Sequence, residues 1–234
     1  TENIWMTNSY TLSYDDIYDV DESRASLAIQ EAKGSALTSA LGTAITYDTR
    51  NHPRNPNRGV YLQLATDFAG VGGDVKYVRV QGEGRAYYPI TEEITFVGRV
   101  IAGHIEGWGG DDVRLLDLYY RGGETIRGFD RAGFGPRDLK TDDALGGKTY
   151  WAATAEVRFP LPLIPEELGM SGAVFADAGS LFGASKLAKD LDKDGDIILV
   201  DDSTIRSSVG VGLLWNSPLG PLRLDYAYVL TKEK

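Results

Sequence analysis

The chain has 234 residues, a net charge of −10 and no cysteine, with 42% hydrophobic and 25% charged residues. The acidic balance argues against nucleic acid as a partner, and the lack of cysteine excludes a disulfide framework and thiolate metal sites. The hydrophobic content is sufficient for a folded core. Glycine (28) and tyrosine (13) are abundant, which favours strands and turns over helices.

Apolar and polar residues alternate along most of the chain, which is the periodicity of β-strands. The alternating segments are residues 4–14, 37–47, 60–68, 75–88, 94–102, 150–159, 171–179, 205–215 and 222–229. This pattern predicts about nine strands in up-and-down order and no helix of substantial length. Several segments reach the roughly 9–11 residues that a tilted membrane strand requires. The chain begins on a strand-like segment without a signal peptide, so we expect a part of a longer protein.

The connections between these segments fall into two classes. Those at 50–59, 89–93, 160–169 and 216–221 are compact and rich in Pro, Gly or Asn, whereas those at 15–34, 103–147 and 181–204 are long and acidic. Short turns on one rim and long loops on the other are typical of an outer-membrane β-barrel. A soluble β-sandwich produces the same alternation of apolar and polar faces, so it remains an alternative at this point.

The two faces of the predicted strands support the barrel. One face is aliphatic and aromatic, and the other carries the charged and amide side chains expected of a polar lumen. Arg79, Glu83 and Arg85 form a charged ladder on the polar face of one segment, for which we expect a structural role. Six aromatic residues near strand ends are expected to form interfacial girdles: Tyr14, Tyr47, Tyr88, Trp151, Trp215 and Tyr226.

One stretch of the longest connection, residues 119–129, is not composed like a flexible loop. Its glycines permit tight bends, and Ile126 and Phe129 require cover from water. Arg127 lies between them and needs a carboxylate partner wherever it is desolvated. We expect this tip to dock against the protein; the alternative is a surface loop with an incidental arginine.

Three motifs, in order along the chain, resemble those of one known family. Ile126-Arg127-Gly128-Phe129 is similar to the Val/Ile-Arg-Gly-Phe/Tyr signature of the outer-membrane assembly and two-partner-secretion superfamily, and residues 120–124 resemble its usual lead-in. Residues 175–179 resemble the second motif, Phe-x-Asp-x-Gly. Residues 208–211 and 214–222 resemble the penultimate hairpin of the family's barrels. The similarity spans the whole chain and is densest after residue 119.

The resemblance implies an all-β, antiparallel up-and-down transmembrane β-barrel. Residues 1–234 would be an outer-membrane barrel-domain fragment, containing the C-terminal strands of a sixteen-stranded barrel. Residues 103–148 would form a long outer loop that carries the Ile-Arg-Gly-Phe motif. The ending at residues 230–234 departs from the family pattern, because the final strand with its closing aromatic is absent. The earlier strands and the periplasmic POTRA domains are missing as well.

The resemblance also implies a site and a function. In the family the motif loop folds back into the lumen, and its arginine contacts carboxylates on the wall. Glu156 and Asp177 face the lumen by alternation and match acidic positions of the family, so they are the expected partners of Arg127. The implied function is the insertion and assembly of β-barrel precursor proteins in the bacterial outer membrane. Expected partners are unfolded precursors, assembly-machinery lipoproteins bound through the missing periplasmic domains, and outer-membrane lipid.

Other functions remain open. A two-partner-type secretion pore would pass an extended substrate through the lumen, and a sibling translocation and assembly protein is hard to distinguish by sequence. No catalytic set is evident, because His52 and His104 fall in a turn and at a strand end, away from Ser171, Ser180 and Ser208. We therefore expect no enzymatic activity and no cofactor.

Residues 190–201 fit the calcium-loop pattern, with acids at positions 1, 3, 5 and 12 and glycine at position 6. The twelfth residue is Asp201, which is shorter than the glutamate that binds calcium as a bidentate ligand. A helix is conceivable before this segment, at 184–189, but not after it. We expect no calcium requirement and no metal site, and a soluble calcium-binding sandwich is the third functional alternative.

Overall fold

The structure, a computed structural model, describes residues 2–162, 164–165, 168–218 and 220–231. Parts of the predicted turns 160–169 and 216–221, and the last three residues of the predicted loop start 230–234, lie outside these ranges. The described strands are β1 Ile4–Ile17, β2 Gly34–Asp48, β3 Gly59–Ala69, β4 Tyr77–Pro89, β5 Thr95–Gly107, β6 Arg137–Asp138, β7 Asp143–Ala144, β8 Thr149–Pro160, β9 Met170–Phe182, β10 Leu199–Val200, β11 Arg206–Ser217 and β12 Gly220–Val229. The α-helices are α1 Leu27–Glu31 and α2 Lys186–Asp194.

Nine of these strands form one antiparallel sheet in the order β1-β2-β3-β4-β5-β8-β9-β11-β12. Each strand pairs with its predecessor in the sheet, as in the register Ile4↔Tyr47 through Ile17↔Gly34 between the first two. The predicted up-and-down barrel strands are confirmed, and most extend beyond their predicted ends. β5 continues to Gly107, so the connection predicted to start at residue 103 begins at residue 108.

Antiparallel order places successive connections at opposite rims. The connections 49–58 and 90–94 and the described part of 161–169 lie at one rim, and the connections 18–33, 70–76, 108–148 and 183–205 lie at the other. The long acidic connections therefore share a single rim, as expected of a membrane barrel. Among the described residues, no helix is both long enough and apolar enough to cross a membrane.

The outer face of the sheet remains uncovered, which rules out the sandwich. The only other sheet in the described part of the chain is small, with the order β10-β6-β7 and two residues in each strand. Outward-pointing apolar side chains stay exposed, among them Leu62, Leu64, Val100, Val174, Val211, Leu224 and Tyr226. Such a continuous apolar surface is stable in lipid and not in water.

The inner face is covered by the long connection 108–148. Ile126 and Phe134 of this connection are buried in one cluster with Ile101 and Ile105 of β5 and Tyr150 of β8. Ile126 and Ile105 are both 0% exposed. Because the connection supplies the apolar surface that fills this part of the barrel, its position is fixed by hydrophobic burial as well as by charge.

A second small cluster forms a cap at the rim of the long connections. We call this the rim cap: α1, α2 and the sheet of β6, β7 and β10, packed around Leu145, Leu191 and Ile197. The general expectation of no substantial helix was therefore wrong for α2, whereas the helix considered conceivable at 184–189 overlaps its first turn and is confirmed. Its sequence is polar, but Ser185 caps the N-terminus through a hydrogen bond from Ala188 N, and Gly195 (φ 84°) ends the helix.

Candidate functional site

The motif loop, residues 119–134, is a tight structure closed by its own glycines. Ile126 N donates to Gly122 O at 2.9 Å, and Gly123 N donates to Asp130 O at 3.3 Å. A Cβ at Gly122 would clash with Asp130 O, and a Cβ at Gly123 would lie 2.4 Å from Phe129 O. Residues with side chains do not fit at these two positions, so the glycine pair is what brings Ile126 and Arg127 to the tip.

Arg127 docks this tip on the inner wall of the barrel. Its Nε and Nη2 donate to Asp177 Oδ2 and Oδ1, both at 2.7 Å, and its Nη1 donates to Glu156 Oε2 at 2.9 Å. The backbone N of Arg127 also donates to Asp177 Oδ2, at 3.1 Å. The structure thus brings together the three residues that the sequence and the resemblance selected. A bidentate pair plus a backbone hydrogen bond fixes both the depth and the orientation of the loop.

The site is largely shielded from water. The side chains of Asp177 and Glu156 are 1% and 4% exposed, and that of Arg127 is 18% exposed. Burial alone would lower the pKa of Arg127, but the hydrogen bonds to Asp177 and Glu156 raise it above its ordinary value. The guanidinium therefore keeps its charge, and loss of either carboxylate would leave that charge partly desolvated.

Phe175 completes the arginine site, and sequence reasoning did not assign it this role. The guanidinium of Arg127 stacks over the Phe175 ring, 3.3 Å from Cζ to the ring centroid. Phe175 and Asp177 both point inward because they are two residues apart on β9. A Cβ on Gly210 of the neighbouring strand would lie 2.4 Å from the ring of Phe175. The Phe-x-Asp pattern therefore supplies an aromatic ring against the flat face of the Arg127 guanidinium and a carboxylate that accepts hydrogen bonds along its edge.

Glu156 binds more than the motif loop. Arg158 Nε donates to its Oε1 at 2.8 Å, and Arg223 donates to Oε1 and Oε2 at 3.1 and 2.6 Å. Arg223 also donates to Asp225 Oδ2 at 2.7 Å, and Asp225 lies 3.8 Å from Nη1 of Arg127. Alternation along residues 222–229 places Arg223 and Asp225 on the polar face of their strand, but their part in this cluster was not predicted.

The motif glycine contacts the same strand. Gly128 has φ 93°, and a Cβ there would lie 3.1 Å from Ala227 Cβ and 3.2 Å from Val229 Cγ2 of β12. The structure therefore explains the arginine and the glycine of the motif separately. The arginine requires carboxylates on β8 and β9, and the glycine permits close approach to β12 in a backbone conformation that other residues rarely adopt.

The predicted charged ladder divides between two tasks. Arg85 and Arg99 both donate from Nε to Glu83 Oε1 at 2.7 Å. Arg79 instead donates from Nη2 to Asp117 O at 2.7 Å, and so ties β4 to the long connection. A polar cavity of about 450 Å³ lies between the ladder and the motif loop. These contacts are consistent with the structural role that we expected.

The calcium-pattern segment does not form a calcium loop. Its first positions belong to α2, and Asp201 accepts hydrogen bonds from Gly183 N and Ala184 N at 2.7 and 2.8 Å. Asp192 accepts one from Leu199 N at 2.9 Å. Within the described ranges, no group of three or more His, Cys, Asp or Glu side chains is arranged to hold a metal ion.

The two histidines serve local structure. Nδ1 of His52 accepts from the backbone N of Arg54 and Asn55 at 3.2 and 3.0 Å, which closes a turn. His104 shares a 2.7 Å hydrogen bond with Thr149 on the adjacent strand. The absence of an enzyme activity stays a prediction.

Comparison with known proteins agrees with this geometry. A family model described as the Omp85 superfamily domain matches residues 1–234. The outer membrane protein assembly factor BamA of Neorickettsia risticii (strain Illinois) is 34% identical over 226 residues, which are 96% of this chain and 29% of the relative. The sorting and assembly machinery component 50 homolog of Homo sapiens is 30% identical over 187 residues, which are 76% of this chain and 39% of the relative.

A solved structure shows the same fold. The crystal structure of BamA from Haemophilus ducreyi lacking POTRA domains 1-3 matches with a TM-score of 0.82 and 22% identity, over 100% of this chain and 49% of that chain. The chain therefore corresponds to part of each relative, and its strands are those of an outer-membrane β-barrel. With a family model matched over all 234 residues, the chain belongs to the Omp85 superfamily.

Proposed function

We propose that this domain inserts and assembles β-barrel precursor proteins in the bacterial outer membrane. The observation that carries the proposal is the motif loop fixed on the inner wall through Arg127, Asp177 and Glu156. The assembly factors among the relatives support the same reading by their names. Because the chain spans less than a third of those relatives, the activity, the substrates and the partners of the whole protein are all part of the proposal.

The proposed mechanism uses the backbone of the strands. An edge strand presents unpaired N–H and C=O groups, which pair readily with another strand. Precursor strands would form on such an edge at the seam between the first and last strands of the complete barrel. The motif loop contacts β12 from inside. The docked loop would keep this part of the inner wall in a defined position while precursor strands are added at the seam.

The surface chemistry of the domain indicates which parts of it would contact lipid and which would face outward. The exposed apolar face would contact outer-membrane lipid, and the rim with the long connections, including the connection 108–148 that carries the motif loop, would face outward. Unfolded precursors are the proposed substrates. The lipoproteins of an assembly machinery are proposed partners that would bind the full-length protein, which co-purification from membranes tests.

Insertion is tested with the full-length protein in lipid vesicles. Purified protein would be reconstituted and mixed with a urea-unfolded barrel precursor, and folding would be followed by the heat-sensitive shift of the precursor on gels. We expect folding well above the rate in empty vesicles. Wild-type protein that leaves this rate unchanged, but releases an extended polypeptide across the bilayer, would contradict the proposal and favour a secretion pore. The number of POTRA repeats in the full-length sequence offers a cheaper discrimination, because several repeats favour the assembly factor.

A further inference from the structure

Two different elements share one buried carboxylate. Glu156 lies on β8, and it accepts hydrogen bonds from Arg127 of the motif loop and from Arg223 of β12. β8 and β12 are separated in the sheet by β9 and β11, which corresponds to about 14 Å across a flat sheet. The curvature of the sheet and the length of the arginine side chain bring Arg223 Nη2 to 2.6 Å from Glu156 Oε2.

We propose that Arg223 is a positioning residue that couples the motif loop to the strand β12. It keeps Glu156 in place for Arg127, so that the loop docks fully only when β12 is in its present register. Gly128 supports the same coupling independently, because its backbone rests on Ala227 and Val229 of β12. Asp225, 3.8 Å from Arg127 Nη1, adds a third link between the loop and the strand.

The contact between Arg223 and Glu156 depends on the register of β12. A shift by one residue would turn Arg223 from the inner to the outer face of the sheet. A shift by two residues would keep it inside but move it about 7 Å along the strand, out of contact with Glu156. Either change would also remove Ala227 from beneath Gly128. Any event that rearranges β12 would therefore loosen the motif loop, and loss of the loop would loosen β12.

This coupling bears on assembly through the proposed function, because it links the motif loop to a strand of the barrel wall. If the arrival of a precursor strand rearranges β12, the loop would respond. The coupling itself is a property of the barrel alone, so it can be measured without any precursor.

The test is hydrogen exchange, followed by mass spectrometry, on the full-length protein in lipid nanodiscs. Arg223→Gln is expected to speed exchange in peptides covering 119–134 about tenfold, the factor lost with roughly one charge-assisted hydrogen bond. Arg223→Lys should restore part of this protection, because an ammonium keeps a positive charge beside Glu156 but cannot reproduce the planar fork that donates to both Glu156 oxygens and to Asp225. The matched control is Arg158→Gln, which removes a hydrogen bond from the same carboxylate but no link to β12. It should change loop exchange less than about threefold.

The second part of the experiment measures the coupling in the opposite direction, from the motif loop to β12. Arg127→Gln should speed exchange in peptides covering 220–231, since coupling between two sites acts equally in both directions. Heat-modifiable migration on gels confirms that each variant is folded. Wild-type loop exchange in Arg223→Gln, an equal effect of Arg158→Gln, or unchanged β12 exchange in Arg127→Gln would each overturn the coupling. A failed insertion assay with the wild-type protein would instead reject the proposed function and leave these results unaffected.

Discussion

The motif loop and the rim cap both come from long acidic connections, yet they bury their carboxylates in different ways. At the motif loop, Asp177 and Glu156 on two strands are neutralised by arginines from elsewhere in the chain. In the rim cap, Asp138 is 1% exposed and is satisfied by the Ser26 hydroxyl at 2.8 Å and by the backbone N of Lys140 and Ile198 at 2.9 and 3.1 Å.

This difference distinguishes a site that depends on particular side chains from one that depends mainly on backbone hydrogen bonds. The backbone amides of Lys140 and Ile198 bind the Asp138 carboxylate, and any residue except proline supplies such a donor, so this site requires few particular side chains beyond Ser26. An arginine that joins strands requires particular residues on each of them, and a rearrangement of any strand disturbs all of its partners. We therefore expect substitutions at the motif loop to affect function with the barrel intact, and substitutions in the cap to affect only the cap.

The largest effect is expected from Arg127→Ala. It leaves two nearly buried carboxylates without their loop partner, which should cost about 3–5 kcal/mol of loop docking where the site is dry. Precursor insertion in vesicles should fall strongly. The barrel itself should still fold and migrate as a heat-modifiable species. Arg127→Lys should not restore full activity, because a single ammonium cannot reproduce the planar fork. Full activity of the lysine variant would show that charge alone suffices.

Substitutions of the two carboxylates, Asp177 and Glu156, are expected to have different effects. Asp177→Asn should release the loop at a cost of about 2–3 kcal/mol, since Asp177 accepts three of the hydrogen bonds of Arg127. β12 should loosen only in part, through loss of the docked loop, because the contacts of Arg223 to Glu156 and Asp225 are intact. Glu156→Gln should loosen the loop and should loosen β12 more strongly, because it changes the shared partner of Arg127 and Arg223. Hydrogen exchange of the two segments distinguishes these patterns, and identical profiles for both variants would contradict the separate roles.

A smaller, local effect is expected from Asp138→Asn in the rim cap. The amide keeps one acceptor oxygen but turns a donor toward groups that already donate, at a cost of about 1–3 kcal/mol. Exchange should rise in peptides covering 137–145 and 183–205. Insertion activity should change far less than with Arg127→Ala. Equal loss of activity from both variants would remove the proposed distinction between the loop and the cap.

The pH dependence of the cap follows from the same residue. Burial alone would raise the pKa of Asp138, but the hydrogen bonds from Lys140 N, Ser26 and Ile198 N lower it below its ordinary value. A lowered folded pKa means stability that is present above the ordinary pKa of about 4 and is lost as the pH falls through the lowered value. Hydrogen exchange in the rim cap, corrected for the pH dependence of intrinsic exchange rates, should therefore become faster in acid. Asp138→Asn should remove that dependence, and an unchanged acid response in this variant would assign it to other groups.

The smallest expected effect is that of calcium. Asp192 and Asp201 already accept backbone hydrogen bonds, and α2 runs through the start of the pattern. Isothermal titration with millimolar calcium should give no saturable heat. Saturable binding that Asp190→Ala abolishes would establish a site that this geometry does not provide.

The strands and their faces were predictable because alternation is a local property of the sequence. The same alternation, with the family resemblance, pointed Arg127 toward Glu156 and Asp177. Arg223 was not identified as a partner of Glu156, because that contact depends on the curvature of the sheet across two intervening strands. Helix α2 was predicted only as a conceivable helix at 184–189, and its true extent, Lys186–Asp194, depends on the Ser185 and Gly195 caps and on packing of Ala188 and Leu191 in the rim cap.

Arg127 and Asp177 are expected to act as a single docking unit that insertion requires. Precursor insertion rates in vesicles, measured for wild-type, Arg127→Ala, Asp177→Ala and the double variant, test this expectation. If both residues serve one docked state, the double variant should be no slower than the slower single variant, within about 0.5 kcal/mol in activation free energy. Single effects that multiply in the double variant, or a wild-type rate for Arg127→Ala, would contradict the account.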